Sequence, residues 1–307
     1  MSKKKPLSII DRETKKPFLE MVWGQWWLHF LYGETFFSKL LGTPLLHTLF
    51  RWPLLSWAIG KYYDSRLSKR HIAPFCRHFD INMTECELPI EEFHSFNDFF
   101  TRHLRSETRP QAEGADIITI PADGRYTFIP TVGTSQPFRI KGEPLCLENL
   151  LGSHTLAARF LGGSAVIARL CPTDCHRFYF CTDGQPSKAT WIRGSLFSVN
   201  PIATKKRPQI WWKNRRAITL IETEKAGTIA YVEVGATNCG SIIQNFVPDS
   251  WVRKGDEKGF FRIGGSAIIL FFEPNRMQFS EDLVKLSSSH KEIYCKIGQP
   301  LGKILNP

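Results

Sequence analysis

Apolar and polar positions follow two textures along the chain, with the change near residue 97. Trp23, Trp26, Trp27 and Phe30 recur at intervals of three and four, the spacing of one helical face. Further apolar runs follow at 40–50 and 52–60, with Pro44 and Pro53 as breakers. Phe96 to Pro110 (FNDFFTRHLRSETRP) reads as the end of a helix closed by Arg109-Pro110. Beyond it come short β-rich segments bounded by Gly, Pro, Asn and Asp: IITIPADG, YTFIPTVG, AVIARL, HRFYFCTDG, AITLIETEKAG, TIAYVEVGAT and GGSAIILFF. No sustained alternation of strand with long helix accompanies them, so a doubly wound parallel sheet is not expected. The predicted fold is α+β, with a mainly helical region over residues 1–105 and a β-rich body over 106–307.

Length and charge sharpen this division. The 307 residues suit one or two domains with a sizeable core. Apolar types at 42% and charged types at 22% exclude a disordered chain. Residues 1–72 carry 12 basic and 5 acidic side chains, so +7 of the net +11 sits in the first quarter. Five of the nine tryptophans (Trp23, Trp26, Trp27, Trp52 and Trp57) fall in the same stretch. Basic residues with interfacial tryptophan suit an anionic membrane surface. The plain alternative is a helical hairpin packed on the core. Nucleic acid is not expected, because no recognised binding motif follows. The longest of these apolar runs, Met21 to Gly33, has 13 residues, short of the roughly 18–20 that span a bilayer.

The N-terminus lacks the apolar core of a secretory signal, so reduced thiols and a position on the cytoplasmic side of the cell membrane are expected. Cys171, Cys175 and Cys181 cluster, and Cys175 adjoins His176, but spacings of three and five without a second CxxC pair make no zinc site.

Three turns carry the candidate chemistry. Ser266 follows Gly264-Gly265, a pair that permits backbone geometry closed to other residues, and opens a buried-strand pattern. A lone GGS is commonly just a tight turn, as Gly162-Gly163-Ser164 illustrates. Asp123 lies in Pro121-Ala122-Asp123-Gly124, ordinary turn chemistry. His176 lies in Asp174-Cys175-His176-Arg177, between two β-like segments. A serine, an aspartate and a histidine on separate turns can converge as nucleophile, orienting carboxylate and base. No GxSxG elbow is present, which lowers the ordinary hydrolase reading.

Taken in order, these segments resemble the phosphatidylserine decarboxylases, self-processing pyruvoyl enzymes, over roughly residues 93–305. FNDFFTRHLRSETRP resembles FNxFFxRxLKxxxRP, and PADG matches the family's aspartate loop. IKGEPLCLENLLG, FLGGSAVIARLCPTDCHRFYF, GSLFSVNP, VEVGATNCGSI and WVRKGDEKGFF follow in sequence and lead into the GGS strand. The resemblance implies attack by Ser266 on the Gly265 carbonyl and cleavage between Gly265 and Ser266. The products would be a large chain, 1–265, and a small chain, 266–307, headed by a pyruvoyl group derived from Ser266. That group would form a Schiff base with phosphatidylserine and take up the electrons left by departing CO2, with no metal and no pyridoxal phosphate. Asp123, His176 and Ser266 are the catalytic residues so implied. Implied partners are a phospholipid substrate, the membrane surface and the two chains of one precursor, with a homodimer as a possible assembly.

The family pattern H-R-x-H assigns its second histidine to the self-cleavage relay, and here that position is Tyr179. An unperturbed phenol, with a pKa near 10, is a poor base at neutrality. Either His176 takes the base role, or strain and nearby donors suffice, or processing is slow or absent. Cys175 for the usual Tyr and Ala267 for the frequent Thr are smaller departures. The alternatives are a pyruvoyl decarboxylase of another serine phospholipid or amino acid, an unprocessed lipid-binding relative and, last, a serine hydrolase.

Overall fold

In a computed structural model that describes residues 7–21, 25–32, 53–133, 138–140, 143–236, 241–264, 266–287 and 291–305, all seven β-rich segments contain strands. In chain order the strands are β1 (Ser8–Asp11), β2 (Pro17–Leu19), β3 (Ile117–Thr119), β4 (Gly124–Ile129), β5 (Phe138–Ile140), β6 (Glu143–Leu145), β7 (Ser164–Leu170), β8 (Arg177–Tyr179) and β9 (Gln185–Pro186). They continue with β10 (Thr190–Ile192), β11 (Arg216–Glu222), β12 (Thr228–Gly235), β13 (Ile242–Gln244), β14 (Glu257–Phe261), β15 (Ser266–Phe272), β16 (Met277–Phe279), β17 (Glu292–Cys295) and β18 (Pro300–Ile304). The main sheet runs β10-β11-β12-β15-β7-β4-β17-β1-β2, with β9 beside β11. Every pairing in it is antiparallel except β1 with β17. Smaller sheets β13-β14-β8 and β16-β18-β3 and the hairpin β5-β6 complete the α+β fold.

The strand β15 sits between β12 and β7 and is buried along its whole length. Side chains alternate across a strand, so Ile268, Leu270 and Phe272 enter one core while Ala267, Ile269 and Phe271 enter the other. Cover on both faces explains why this segment reads as a continuous apolar run without alternation. One face packs against Phe178 and Phe261 of the β13-β14-β8 sheet. The other meets the helices Leu147–Leu151 and His154–Phe160 through Leu147, Leu150, Leu151, Ala157 and Phe160.

A third core is helical and aromatic. Phe75 and Phe79 of the helix Ile72–Phe79 pack with Phe93, Phe96, Phe99 and Phe100 around Ile263, three residues before Ser266. Edge-on pairs such as Phe75–Phe96, with ring centroids at 5.2 Å, give this cluster its geometry. The helix expected over 96–110 is shorter, spanning Phe96–Phe100 with a Ser95 cap that accepts the Asp98 N–H. The chain leaves the helix because later side chains are held elsewhere. Arg102 binds the Thr173 carbonyl at 2.9 Å and Arg105 the Cys86 carbonyl at 3.0 Å.

Residues 1–105 also contribute strands. β1 and β2 extend the main sheet, and Arg12 grips Asp282 through Nε at 2.7 Å and Nη2 at 3.0 Å. The helix Gln25–Tyr32 rests Leu28, Leu31 and Tyr32 on the body, and Tyr32 Oη accepts the Ser198 N–H at 2.9 Å. This helix packs on the body, and residues 33–52, where the rest of the expected hairpin falls, lie outside the described residues. Trp23 and Trp52, and the side chains of Trp26, Trp27 and Trp57, lie outside the described residues. No helix among the described residues is long and apolar enough to cross a membrane.

Candidate active site

Ser266 opens β15 opposite Gly235 of β12 and Leu170 of β7, at the middle of the main sheet. Its side chain is fully buried and its Oγ has no hydrogen-bond partner among the described residues. A buried hydroxyl without a partner is costly, so the position calls for an account other than packing. Gly264 has φ 143°, a conformation that side chains rarely adopt. Gly265 lies outside the described residues. In the second GGS tripeptide the first glycine also has a positive φ, 77° at Gly162, and Ser164 likewise opens a strand, β7. Surroundings, not the motif, separate the two serines.

What surrounds Ser266 is set by the turn before β8. His176 is fully buried under Phe100, with ring centroids 3.8 Å apart, and its backbone carbonyl accepts the Phe261 N–H at 2.9 Å. Its Nδ1 lies 3.1 Å from the Asp174 carbonyl, and that acceptor requires Nδ1 to carry the proton. Nε2 then holds a lone pair, and it too is buried without a hydrogen-bond partner among the described residues. Burial brings the imidazole pKa down to about 3, helped by Arg102 and Arg125 and opposed by the backbone of Asp174 and of Gly264. The Gly264 contribution places His176 against the backbone just before β15. His176 is therefore neutral at neutral pH with its Nε2 lone pair unprotonated, and the same burial makes it a weaker base than a solvated imidazole.

Asp123 is bound elsewhere. It accepts Arg109 Nε at 3.0 Å and Nη2 at 2.7 Å, and the Ile297 N–H at 2.8 Å. Arg109 also reaches Glu85 at 2.7 Å. Among the described residues no hydrogen bond joins Asp123 to His176 or to Ser266, so the structure brings histidine and serine to one segment and leaves the aspartate on an arginine. Asp123 does act electrostatically on Tyr179, whose N–H donates to the Pro121 carbonyl at 2.9 Å. Burial raises the Tyr179 pKa far above its ordinary value, with Cys175 and Glu257 adding to the effect. The phenol stays protonated and cannot be the base that the second family histidine supplies.

Asp123 also lines a cleft of about 410 Å³ with Arg102, Arg109, Arg125, Lys296 and the segment Thr173–Cys175. Cys175 of the cleft wall directly precedes His176, which is itself buried and does not line the cleft. Behind it lies a buried charge network. Arg125 pairs with Asp174 and, at 2.8 Å, with Glu20, while Arg169 pairs with Glu20 at 3.0 Å and with Glu292 at 2.6 Å. Burial would raise the Glu20 pKa, but Arg169 and Arg125 hold it below the ordinary range. No group of three or more His, Cys, Asp or Glu side chains among the described residues is placed to share a metal ion.

The family model described as phosphatidylserine decarboxylase matches residues 96–303, which include Asp123, His176, Tyr179 and Ser266. This chain belongs to the phosphatidylserine decarboxylase family. It is 42% identical to a phosphatidylserine decarboxylase proenzyme of Chlamydia pneumoniae over 294 residues, 96% of each chain. A proenzyme of the same name from Chlamydia caviae is 40% identical over 98% of this chain and 99% of the relative. One from Chlamydia trachomatis serovar L2 is 41% identical over 87% and 89%.

Sequence reasoning missed Asn97, although it stands in the FNDFF segment. Its Oδ1 accepts the Ile263 N–H at 2.8 Å and its Nδ2 donates to Asp64 at 2.6 Å, fixing the backbone that leads into Ser266. It missed the buried Lys258–Glu233 pair as well, because charges on strands read as solvated. Lys258 stood in the quoted WVRKGDEKGFF segment and Glu233 in VEVGATNCGSI, without a role for either.

Proposed function

We propose that this chain is a proenzyme that cleaves itself between Gly265 and Ser266, and that the enzyme so formed decarboxylates phosphatidylserine to phosphatidylethanolamine. One observation carries the site assignment: Ser266 Oγ and His176 Nε2 are both fully buried without partners, and both adjoin Gly264. His176 Nε2 takes the Ser266 hydroxyl proton, and Oγ attacks the Gly265 carbonyl carbon. The Gly265–Ser266 C–N bond breaks, its nitrogen gains the proton, and an ester links the two chains. Loss of the Ser266 Cα proton expels the Gly265 carboxylate and leaves dehydroalanine. Addition of water and loss of ammonia complete the pyruvoyl group at the head of 266–307. The orphaned Ser266 Oγ and the open geometry at Gly264 fit that origin. When formed, the group supplies the electron sink that decarboxylation needs. Asp123 serves by holding Arg109 and the Ile297 N–H beside Tyr179, not by contacting His176.

The basic, tryptophan-rich first quarter supports peripheral association with the cytoplasmic face of the cell membrane. Leu67, exposed at 68% beside Arg66, Lys69 and Arg70, offers an apolar tip in a basic turn. Intact mass under denaturing conditions, beside Ser266→Ala, tests self-cleavage. Two chains split at Gly265–Ser266, the smaller blocked by pyruvoyl, are expected, with conversion of phosphatidylserine vesicles to phosphatidylethanolamine. A single 35.2 kDa chain behaving like Ser266→Ala would overturn the reading.

A further inference from the structure

Three of the four basic side chains that line the cleft are neutralised by carboxylates: Arg109 by Asp123 and Glu85, Arg125 by Glu20 and Asp174, and Lys296 by Glu13. Arg102 is the exception. It is 5% exposed and pairs with no carboxylate among the described residues. Nη1 faces the Phe99 and Asp174 carbonyls at 3.3 and 3.5 Å, and Nη2 donates to Thr173 at 2.9 Å. Nε has no partner. A guanidinium has five N–H donors, so two, one on Nε and one on Nη2, meet no oxygen acceptor among the described residues. Its titratable neighbours are His176 and the thiols of Cys76, Cys86 and Cys175; Cys86 hydrogen-bonds the guanidinium, and a thiol is a weak acceptor that an anionic oxygen displaces. Elsewhere in this protein the Nε–Nη2 edge holds a carboxylate two-handed, in Arg12 on Asp282 and in Arg109 on Asp123. On Arg102 no carboxylate among the described residues meets that edge, and the Cys86 thiol is the partner the guanidinium has on that side.

We propose that Arg102 is the receptor for the phosphodiester of the substrate headgroup, with the cleft as the approach to His176. The proposal rests on the decarboxylase reading. A planar fork with two donors that meet at most a thiol matches two phosphate oxygens. The substrate offers two anions, and the chemistry selects between them. An arginine on the carboxylate would stabilise the ground state that must lose its charge as CO2 and would slow the reaction. An arginine on the phosphodiester anchors the headgroup without opposing the step. Asp11 and Asp80 line the same cleft without an ion pair among the described residues, which disfavours a more highly charged free phosphate.

The test begins with binding to the uncleaved Ser266→Ala chain, so it does not depend on turnover. Calorimetry with sn-glycero-3-phosphoserine should give an affinity at least tenfold weaker in Ser266→Ala with Arg102→Gln, and an intermediate one with Arg102→Lys, which keeps the charge and loses the fork. Thermal melting confirms that each variant is folded, and Arg102→Lys alone decides the matter should the glutamine variant not fold. Equal affinity with and without the arginine overturns the proposal, as does failure of the headgroup to bind. Inorganic phosphate competing as well as the headgroup, with the same dependence on Arg102, reduces the site to an adventitious ion only and also overturns it. In the processed enzyme, Arg102→Lys should raise KM for phosphatidylserine about tenfold with kcat within threefold, and a loss confined to kcat would overturn the assignment. Absence of any decarboxylation by the wild-type chain would sink the functional reading while leaving the binding result standing.

Discussion

Replacing His176 by glutamine keeps the size and polarity of the side chain and removes the base. Positioned general bases contribute about 10²- to 10⁴-fold, so self-cleavage should slow by that factor. The structure also fixes a pH dependence. With a pKa of about 3 in place of 6.5, His176 is neutral throughout the working range. An unperturbed histidine would be about 3% neutral at pH 5, so a cleavage rate governed by it would drop about thirtyfold between pH 7.5 and pH 5. The rate governed by buried His176 should change less than twofold. The sign for stability is opposite in appearance and follows from the same shift. The unfolded chain binds a proton below 6.5 that the folded chain refuses until about 3, so this contribution is full above pH 6.5 and is lost as pH falls towards 3. The assay follows conversion of the 35.2 kDa chain on denaturing gels after synthesis in a cell-free system, from pH 5 to 8. Wild-type cleavage by His176→Gln, or a rate falling thirtyfold by pH 5 in a chain that remains folded, would refute the assignment. Tyr179→Phe is the companion variant. Its phenol never ionises at these pH values, so cleavage should persist within about threefold, and complete loss would make Tyr179 the indispensable group.

The remaining predictions concern the frame around the site. Asn97→Ala leaves the buried Ile263 N–H unpaired, which should cost about 1–3 kcal/mol in urea unfolding and slow self-cleavage. Glu233→Gln strips the counter-ion from Lys258, which is fully buried against Phe178, Phe180, Tyr231 and Phe246, and should cost about 3–5 kcal/mol. Glu233→Leu with Lys258→Met should recover most of that loss, and failure to recover would show that the pair does more than neutralise itself. Vesicles with anionic lipid should retain the protein at low salt and release it as salt rises, measured by sedimentation.

The seven β-rich segments were legible because strand residues and turn punctuation leave a local signature. The two-sided cover of β15 was legible too, in the unbroken run from Ala267 to Phe272. What failed was whatever depends on distant partners. Nothing local in SIID announces that Ile9 and Ile10 pair beside β17, or that Arg12 leaves the basic N-terminus to bind Asp282. Phe96 to Pro110 carries a helical pattern, yet Arg102 and Arg105 draw the chain away after one turn. At the site, the sequence singles out the three residue types, but an aspartate's partner is not written in its own loop. Asp123 is held by Arg109, fourteen residues earlier, and the turn PADG is the same whichever cation it meets. Tyr179 looked like a gap in a relay, and its burial shows why it cannot fill one.

Cleavage at Gly265–Ser266 would cut the chain at the centre of its largest sheet, and the topology makes that cut tolerable. The small chain 266–307 contributes two interior strands, β15 between β12 and β7 and β17 between β4 and β1, so strands of the large chain flank each on both sides. Burial of Ile268, Ile269, Leu270, Phe271 and Phe272 alone stabilises the association by about 8–15 kcal/mol at about 1.5–3 kcal/mol for each side chain. Conversion of Ser266 to pyruvoyl removes one N–H from the ladder, a loss of about 1 kcal/mol. The Arg12–Asp282 pair is half-exposed on the aspartate side and adds about 1 kcal/mol at most. The two chains should therefore separate only when the sheet itself melts. In urea, release of the small chain, followed by gel filtration, should coincide with loss of strand signal in one transition, and Arg12→Ala should move its midpoint slightly without splitting it. Release at a urea concentration that leaves the large chain folded would mean that β15 is held far more weakly than its burial requires.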